Sequence, residues 1–122
     1  MRIESSYPIA KIITDYQCAY PDPLILKSGD QVIVEQNDTQ WPAFVWCTDQ
    51  NGKGGWVPEQ YLERQGNVGV IRVDYNTQEL TVLTGEMVQI KQEAGGWYWC
   101  LNEAGQQGWV PGEHLQIKTD NK

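Results

Sequence analysis

The stretch Gly55-Trp56-Val57-Pro58-Glu59-Gln60-Tyr61-Leu62 returns later in the chain as Gly108-Trp109-Val110-Pro111-Gly112-Glu113-His114-Leu115. Three further blocks upstream of each copy repeat in the same order: Trp46-Cys47 with Trp99-Cys100, Ser28–Val32 with Thr84–Val88, and Asp15-Tyr16 with Asp74-Tyr75. Self-similarity over several ordered blocks indicates an internal duplication. The sequence therefore predicts two domains of one fold, at residues 1–64 and 65–122.

Length and charge limit what the two copies can be. The chain has 122 residues with a net charge of -7, and neither half is basic. Each copy is shorter than about 65 residues, a size at which a single hydrophobic core is only marginally stable. Nucleic-acid and anionic-membrane partners are disfavoured, because neutralising phosphates requires clustered Lys and Arg. Cationic partners are favoured.

The cysteines and the apolar segments exclude further classes of protein. Three cysteines without CxxC spacing give neither a disulfide framework nor a zinc site. Cys47 and Cys100 occupy equivalent positions beside a Trp and are predicted to be small core residues. No signal peptide or membrane-spanning run is visible, so a cytoplasmic location is expected. No cofactor or metal is expected.

The periodicity of the sequence predicts strands. Short apolar alternations such as Val32-Ile33-Val34 are interrupted by turn signals such as Asn51-Gly52, and no segment keeps a helical period. About five short antiparallel strands per copy must curl into a small barrel to cover their edges. The prediction is an all-β protein with two five-stranded barrels in tandem. Residues 63–69 are predicted to be a short linker that spans at most about 23 Å.

Four blocks of each copy carry a resemblance to a known family. In the first copy they are Ile12–Tyr16, Leu24–Asp30, Phe44–Cys47 and Gly55–Leu62, and in the second Ile71–Tyr75, Leu80–Glu86, Gly96–Cys100 and Gly108–Pro111. Each half resembles a Src-homology-3 (SH3) domain. Tyr20–Pro23 together with Trp41–Cys47 resembles variant SH3 domains of bacterial proteins.

The resemblance implies a protein-interaction module. SH3 domains bind extended proline-rich segments in slots between aromatic side chains, and a loop carboxylate pairs with a basic residue of the ligand. In the first copy the matching candidates are Tyr16, Asp22, Trp41, Phe44, Trp56, Pro58 and Tyr61. In the second copy they are Tyr75, Glu79, Trp97, Trp109, Pro111 and His114. Roughly micromolar binding is expected for such small grooves.

Both copies depart from the family pattern at groove positions. The outermost aromatic residue is replaced by Thr14 in one copy and by Val73 in the other. Phe44 stands where Trp97 stands in the second copy, and it lacks the indole N–H that donates to a peptide carbonyl. His114 stands where a slot Tyr is expected. Neither groove is complete.

Two functional interpretations stay open. In the first, the grooves bind a proline-containing or basic peptide segment of a partner protein. In the second, the protein is a structural or assembly module whose barrels dock on each other or on a partner subunit. Trp46 and Trp99 are predicted to face outward and to form such an interface. Enzyme activity is not predicted, because one His and scattered hydroxyls offer no set of nucleophile, base and orienting group.

Overall fold

A computed structural model describes residues 7–19, 22–38 and 40–118, and within them it confirms the all-β prediction. The regular elements in this part of the chain are strands and two short 3₁₀ turns, at Glu59–Tyr61 and Gly112–His114. The strands are β1 (Ile9–Ile12), β2 (Ile25–Leu26), β3 (Gln31–Asn37), β4 (Phe44–Thr48), β5 (Gly54–Pro58), β6 (Leu62–Gln65), β7 (Val68–Ile71), β8 (Tyr75–Asn76), β9 (Met87–Ala94), β10 (Trp97–Leu101), β11 (Gln107–Pro111) and β12 (Leu115–Lys118).

The chain forms two compact units, and each unit draws on both sequence repeats. Unit 2 is the continuous segment Asp22–Thr77, whereas unit 1 combines Met1–Pro21 with Gln78–Lys122. The five-stranded sheet of unit 1 has the order β11-β10-β9-β1-β12, and that of unit 2 has the order β5-β4-β3-β7-β6. The expected division between residues 64 and 65 follows the sequence repeats, but the compact units do not. The first strand of each repeat lies in the sheet of the unit that contains the rest of the other repeat.

The segment predicted to be a linker is a β-hairpin. β6 and β7 pair antiparallel from Leu62 opposite Ile71 to Gln65 opposite Val68, which leaves Gly66-Asn67 as a two-residue turn. Gly66 has φ +63°, as the first central residue of a type II′ hairpin turn requires. Strands joined by so short a turn must lie side by side in one sheet. The first strand of the second repeat therefore completes the barrel of the first repeat.

β1 occupies the corresponding place in unit 1. It pairs with β12 from Ile9 opposite Lys118 to Ile12 opposite Leu115, and with β9 on its other edge. Leu115 and Leu62 are equivalent residues of the two repeats, so Ile12 and Ile71 stand in the same register in their units. Ile12 is fully buried and Ile71 is 1% exposed. Each of these side chains stabilises its unit by about 1.5–3 kcal/mol.

Two aspartates hold the exchanged segments at equivalent turns. Asp15 Oδ1 accepts hydrogen bonds from the Thr84 backbone N–H at 2.6 Å and from the Thr84 hydroxyl at 2.7 Å. Asp74 Oδ1 accepts one from the Ser28 backbone N–H at 2.9 Å. Each bond joins the first strand region of one repeat to the turn of the other. The exchange is therefore symmetric in its polar contacts as well as in its strand pairing.

The two cores follow the predicted alternation. Unit 1 buries a cluster that receives side chains from both repeats, and it consists of Ala10, Ile12, Leu80, Val82, Val88, Ile90, Cys100, Val110 and Leu115. Cys47 in unit 2 and Cys100 in unit 1 are both fully buried, as predicted. Burial raises the pKa of each of these two thiols to about 12. They are packing residues rather than nucleophiles.

Each unit carries a pair of Trp side chains on neighbouring strands. Trp46 lies opposite Trp56, and Trp99 lies opposite Trp109. The ring centroids are 5.0 Å and 5.3 Å apart with edge-to-face planes. The Trp46 ring covers Gly54, where an added Cβ would come within 2.5 Å of the indole. Trp46 and Trp99 are half-buried and each packs against the other Trp of its own unit, and their role in an interface stays a prediction.

We predict that residues 22–77 fold when expressed alone, because they contain the complete unit 2. A fragment of residues 22–67 ends before β7 and loses the internal strand between β3 and β6, so it is expected to remain unfolded. Circular dichroism and thermal unfolding of the two fragments compare them directly. Equal stability of both fragments would contradict the assignment of β7 to unit 2.

We also predict energetic coupling within each Trp pair. In a double-mutant cycle of Trp46→Ala and Trp56→Ala, the coupling free energy is expected to be about 0.5–1.5 kcal/mol, the usual range for an edge-to-face pair. Chemical unfolding of the two single variants and the double variant measures it. The cross-unit cycle of Trp46→Ala with Trp109→Ala is the control. Equal coupling in both cycles would show that the pairs do not act within their units.

Candidate functional site

The aromatic groove of unit 1 is built around Tyr16. Its ring lies edge-on to Trp97 at a centroid distance of 5.8 Å and to His114 at 5.1 Å. Trp97 stands opposite Pro111 across β10 and β11. Tyr16, Trp97 and His114 are all half-buried, so part of each ring faces solvent. The exchange of β1 brings Tyr16 of the first repeat to the Trp, Pro and His of the second.

A carboxylate fixes this tyrosine. The Tyr16 hydroxyl donates to Glu79 Oε1 at 2.8 Å, and the Ala19 backbone N–H donates to the same oxygen at 2.8 Å. The backbones of Glu79 and Trp109 also form an isolated parallel β-bridge, in which the Trp109 N–H donates to the carbonyl oxygen of Gln78 at 2.9 Å. Glu79 therefore orients the groove and leaves negative charge at its edge. Trp109, a predicted groove residue, is only 6% exposed.

The corresponding groove of unit 2 is more closed. Tyr61 and Tyr75 lie edge-to-face at 5.4 Å, and Phe44 stands opposite Pro58. Tyr75 is 8% exposed and donates its hydroxyl to the Trp56 carbonyl at 3.1 Å, while Phe44 is 6% exposed. These two rings are part of the core, so they offer a ligand little surface. Unit 2 keeps the slot position of Tyr61 but has no indole at the Phe44 position.

The acidic residue predicted beside this groove is already paired. Lys53 Nζ lies 3.0 Å from Asp22 Oδ1, and both side chains are exposed. Such an exposed pair contributes about 0–1 kcal/mol and is readily exchanged for another cation. Trp41, expected to replace the missing indole, is half-buried in the loop before β4, where its carbonyl accepts the Phe44 N–H at 2.9 Å.

The structure regroups the residues predicted from sequence. Tyr16 was grouped with Asp22, Trp41, Pro58 and Tyr61, and Tyr75 with Glu79, Trp97 and Pro111. Within the described residues, the set in unit 1 is Tyr16, Glu79, Trp97, Trp109, Pro111 and His114, and the set in unit 2 is Asp22, Trp41, Phe44, Trp56, Pro58, Tyr61 and Tyr75. That these residues bind a ligand stays a prediction, and each tyrosine lies in the unit to which the other was assigned, because the strand exchange was missed.

Sequence reasoning also missed two residues that act on the sites. Lys53 was not predicted to take part in a site, although it pairs with Asp22. Thr84 was noted only as a repeat position, although its two hydrogen bonds lower the pKa of the Asp15 carboxyl, the backbone bond contributing most. The signal available in the sequence was the repetition of Asp15 and Asp74 together with the turn residues Thr84 and Ser28, whose backbone N–H groups donate to those aspartates.

The other surfaces of the described chain offer little that suggests chemistry. Two shallow clefts of about 240 and 200 Å³ lie on unit 2 and share Gln31, Asp49 and Gln50 as lining residues, away from the aromatic grooves. Residues 7–19, 22–38 and 40–118 contain no group of three or more His, Cys, Asp or Glu placed to hold a metal ion. Over the same residues, no helix has the length and apolar character needed to cross a membrane.

Comparisons with known proteins agree with the fold. The chain is 43% identical over 56 residues to myosin heavy chain IB of Acanthamoeba castellanii, a match that covers 46% of this chain and 5% of the myosin. It is 27% identical over 129 aligned positions to the SH2/SH3 adapter protein dreadlocks of Drosophila melanogaster, covering 87% of this chain and 23% of the adapter. The chain thus spans a quarter or less of each relative.

The profile of one protein family matches both repeats. Variant SH3 domains match at residues 9–65 and again at 72–118, which together make up most of the chain. The two matches follow the sequence repeats, whose exchanged strands build the two barrels described above. The prediction of tandem SH3 domains is confirmed: the chain belongs to the variant SH3 domain family, whose members are protein-interaction modules.

Proposed function

We propose that this chain is a non-catalytic adapter module that binds an extended proline-containing or basic peptide segment of a partner protein. The groove of unit 1 is the main binding surface. The proposal includes the expected cytoplasmic location and excludes nucleic acid and membrane as partners, since the net charge is -7.

The observation that carries the proposal is the arrangement around Tyr16. Its ring packs edge-on against both Trp97 and His114, so the three half-buried rings line one aromatic surface, whose shallow slots we expect to hold proline rings. A polyproline II segment is already extended, and its proline rings fit such slots with little loss of entropy. The bond from the Tyr16 hydroxyl to Glu79 holds the ring in place before a ligand arrives.

Charge supports a basic residue in the ligand. Glu79 supplies a carboxylate beside the unit 1 groove, and Asp22 supplies one in unit 2, where Lys53 already neutralises it. A ligand Arg would add a charge-assisted hydrogen bond at either carboxylate. Of the two carboxylates, Glu79 in unit 1 accepts hydrogen bonds from neutral donors, whereas Asp22 in unit 2 pairs with a lysine.

An assembly role is the second candidate, and the burial of the unit 2 aromatics favours it for that unit. Phe44 and Tyr75 are 6% and 8% exposed, so the unit 2 groove offers a shallower surface than that of unit 1. In this interpretation unit 2 is a structural element that docks on a partner subunit, and Trp46 and Trp99 contribute to interfaces. Only the unit 1 groove would then bind peptide.

The test is an NMR titration of the full chain with capped proline-rich peptides, with and without an Arg. We expect shifts around Trp97 and Tyr16, and we expect Trp97→Phe to weaken binding at unit 1 by about threefold to tenfold, because a neutral hydrogen bond contributes about 0.5–1.5 kcal/mol. Trp97→Phe creates in unit 1 the residue that unit 2 has naturally. Phe44→Trp in unit 2 is the reciprocal variant.

The outcomes separate the two candidates. Peptide-induced shifts at unit 1 that need more peptide in Trp97→Phe support peptide binding. Higher peptide affinity at unit 2 in Phe44→Trp would show that the missing indole makes that groove the weaker binder. No shift in either unit at millimolar peptide would contradict the adapter proposal and leave the assembly role.

A further inference from the structure

The two units carry chemically different side chains at one equivalent slot position. His114 in unit 1 and Tyr61 in unit 2 each lie in the 3₁₀ turn that follows the groove proline. His114 packs edge-on against Tyr16 at 5.1 Å, and Tyr61 packs edge-on against Tyr75 at 5.4 Å. One slot is therefore lined by a phenol and the other by an imidazole.

The position of the imidazole does not depend on its charge. His114 Nδ1 lies 3.3 Å from the Thr14 carbonyl oxygen, a contact in which Nδ1 must donate. Both the neutral tautomer with Nδ1–H and the imidazolium can make this bond. Protonation therefore changes the charge of the slot wall while this hydrogen bond can be kept. His114 is the single histidine of the chain, and an imidazole changes its charge between about pH 5 and 8.

The elements next to this ring carry acids as well as two lysines, Lys11 on β1 and Lys118 on β12. Glu113 precedes His114 on the same turn. Asp15 lies between Thr14 and Tyr16 in the segment that follows β1, and Glu79, in the segment that follows β8, accepts a hydrogen bond from the Tyr16 hydroxyl. The half-buried ring is open to water on its exposed side. A proline ring packed over the imidazole removes that water and favours the neutral form.

We propose that the charge of His114 determines how tightly the unit 1 groove binds an uncharged, proline-type ligand residue: binding is tighter when the imidazole is neutral than when it is protonated. This inference rests on the proposed peptide binding and specifies its chemistry. The sign follows from linkage, since a ligand that favours the deprotonated ring binds most tightly at high pH and weakens as pH falls. Unit 2, with Tyr61 in the slot, lacks this dependence.

The experiment follows a capped proline-rich peptide without ionisable side chains by NMR titration of the full chain at pH 7.5 and 5.5. The Trp97 indole N–H reports on unit 1 and the Trp56 indole N–H on unit 2. We expect the dissociation constant at unit 1 to rise about fivefold or more at the lower pH, within the limit of about tenfold per pH unit for one proton. At unit 2 we expect no change.

Reciprocal substitutions provide the control. His114→Tyr is expected to make unit 1 insensitive to pH, and Tyr61→His is expected to make unit 2 sensitive. In the unsubstituted chain at pH 6, adding peptide is expected to move the His114 ring resonances toward those of neutral imidazole. This last measurement holds even where a variant does not fold.

Equal dissociation constants at unit 1 at both pH values, or pH dependence that survives in His114→Tyr, would overturn the inference and leave peptide binding intact. No binding at unit 1 at either pH would contradict the proposed function itself and the inference with it.

Discussion

A two-residue turn decides how this chain divides. Gly66-Asn67 joins β6 and β7 so tightly that they form a hairpin in one sheet, with Gly66 at φ +63°. The first strand of the second repeat is thereby committed to the barrel of the first repeat. The vacant place in the other barrel is taken by β1, which pairs there in the equivalent register. Unit 2 becomes a continuous segment, and unit 1 becomes a barrel interrupted by it.

The exchange determines the composition of both grooves. The residues that follow each first strand lie in the same unit as that strand. Tyr16 therefore packs against Trp97 and His114 near Pro111, and Tyr75 packs against Tyr61. Each groove thus combines residues of both repeats. The two repeats have diverged differently at their groove positions, and the result is one half-exposed aromatic groove in unit 1 and one largely buried set in unit 2. Substitutions in β1 are therefore expected to act on the groove of the second repeat.

Much of this fold follows from the sequence. The turn at Asn51-Gly52 is present with Gly52 at φ +87°, and Cys47 and Cys100 are buried as their alternation predicts. The hairpin signal of Gly66-Asn67 was also present between two strand-like runs. It was obscured by the polar residues 63–65, which are exposed because β6 lies at the edge of its sheet. The strands β1 and β7 themselves carry no mark of the exchange, since Ile12 and Ile71 occupy the same register in their barrels, and the sequence signal lies in the turn between β6 and β7.

The strand exchange is tested most directly by backbone NOEs in a dilute, monomeric sample of the full chain. The account predicts cross-strand NOEs from Ile9–Ile12 to Leu115–Lys118, with Lys11 opposite Gln116, and from Val68–Ile71 to Leu62–Gln65. If each repeat instead kept its own first strand, Ile9–Ile12 would show NOEs to Leu62–Gln65, with Lys11 opposite Glu63. That second pattern would contradict the account.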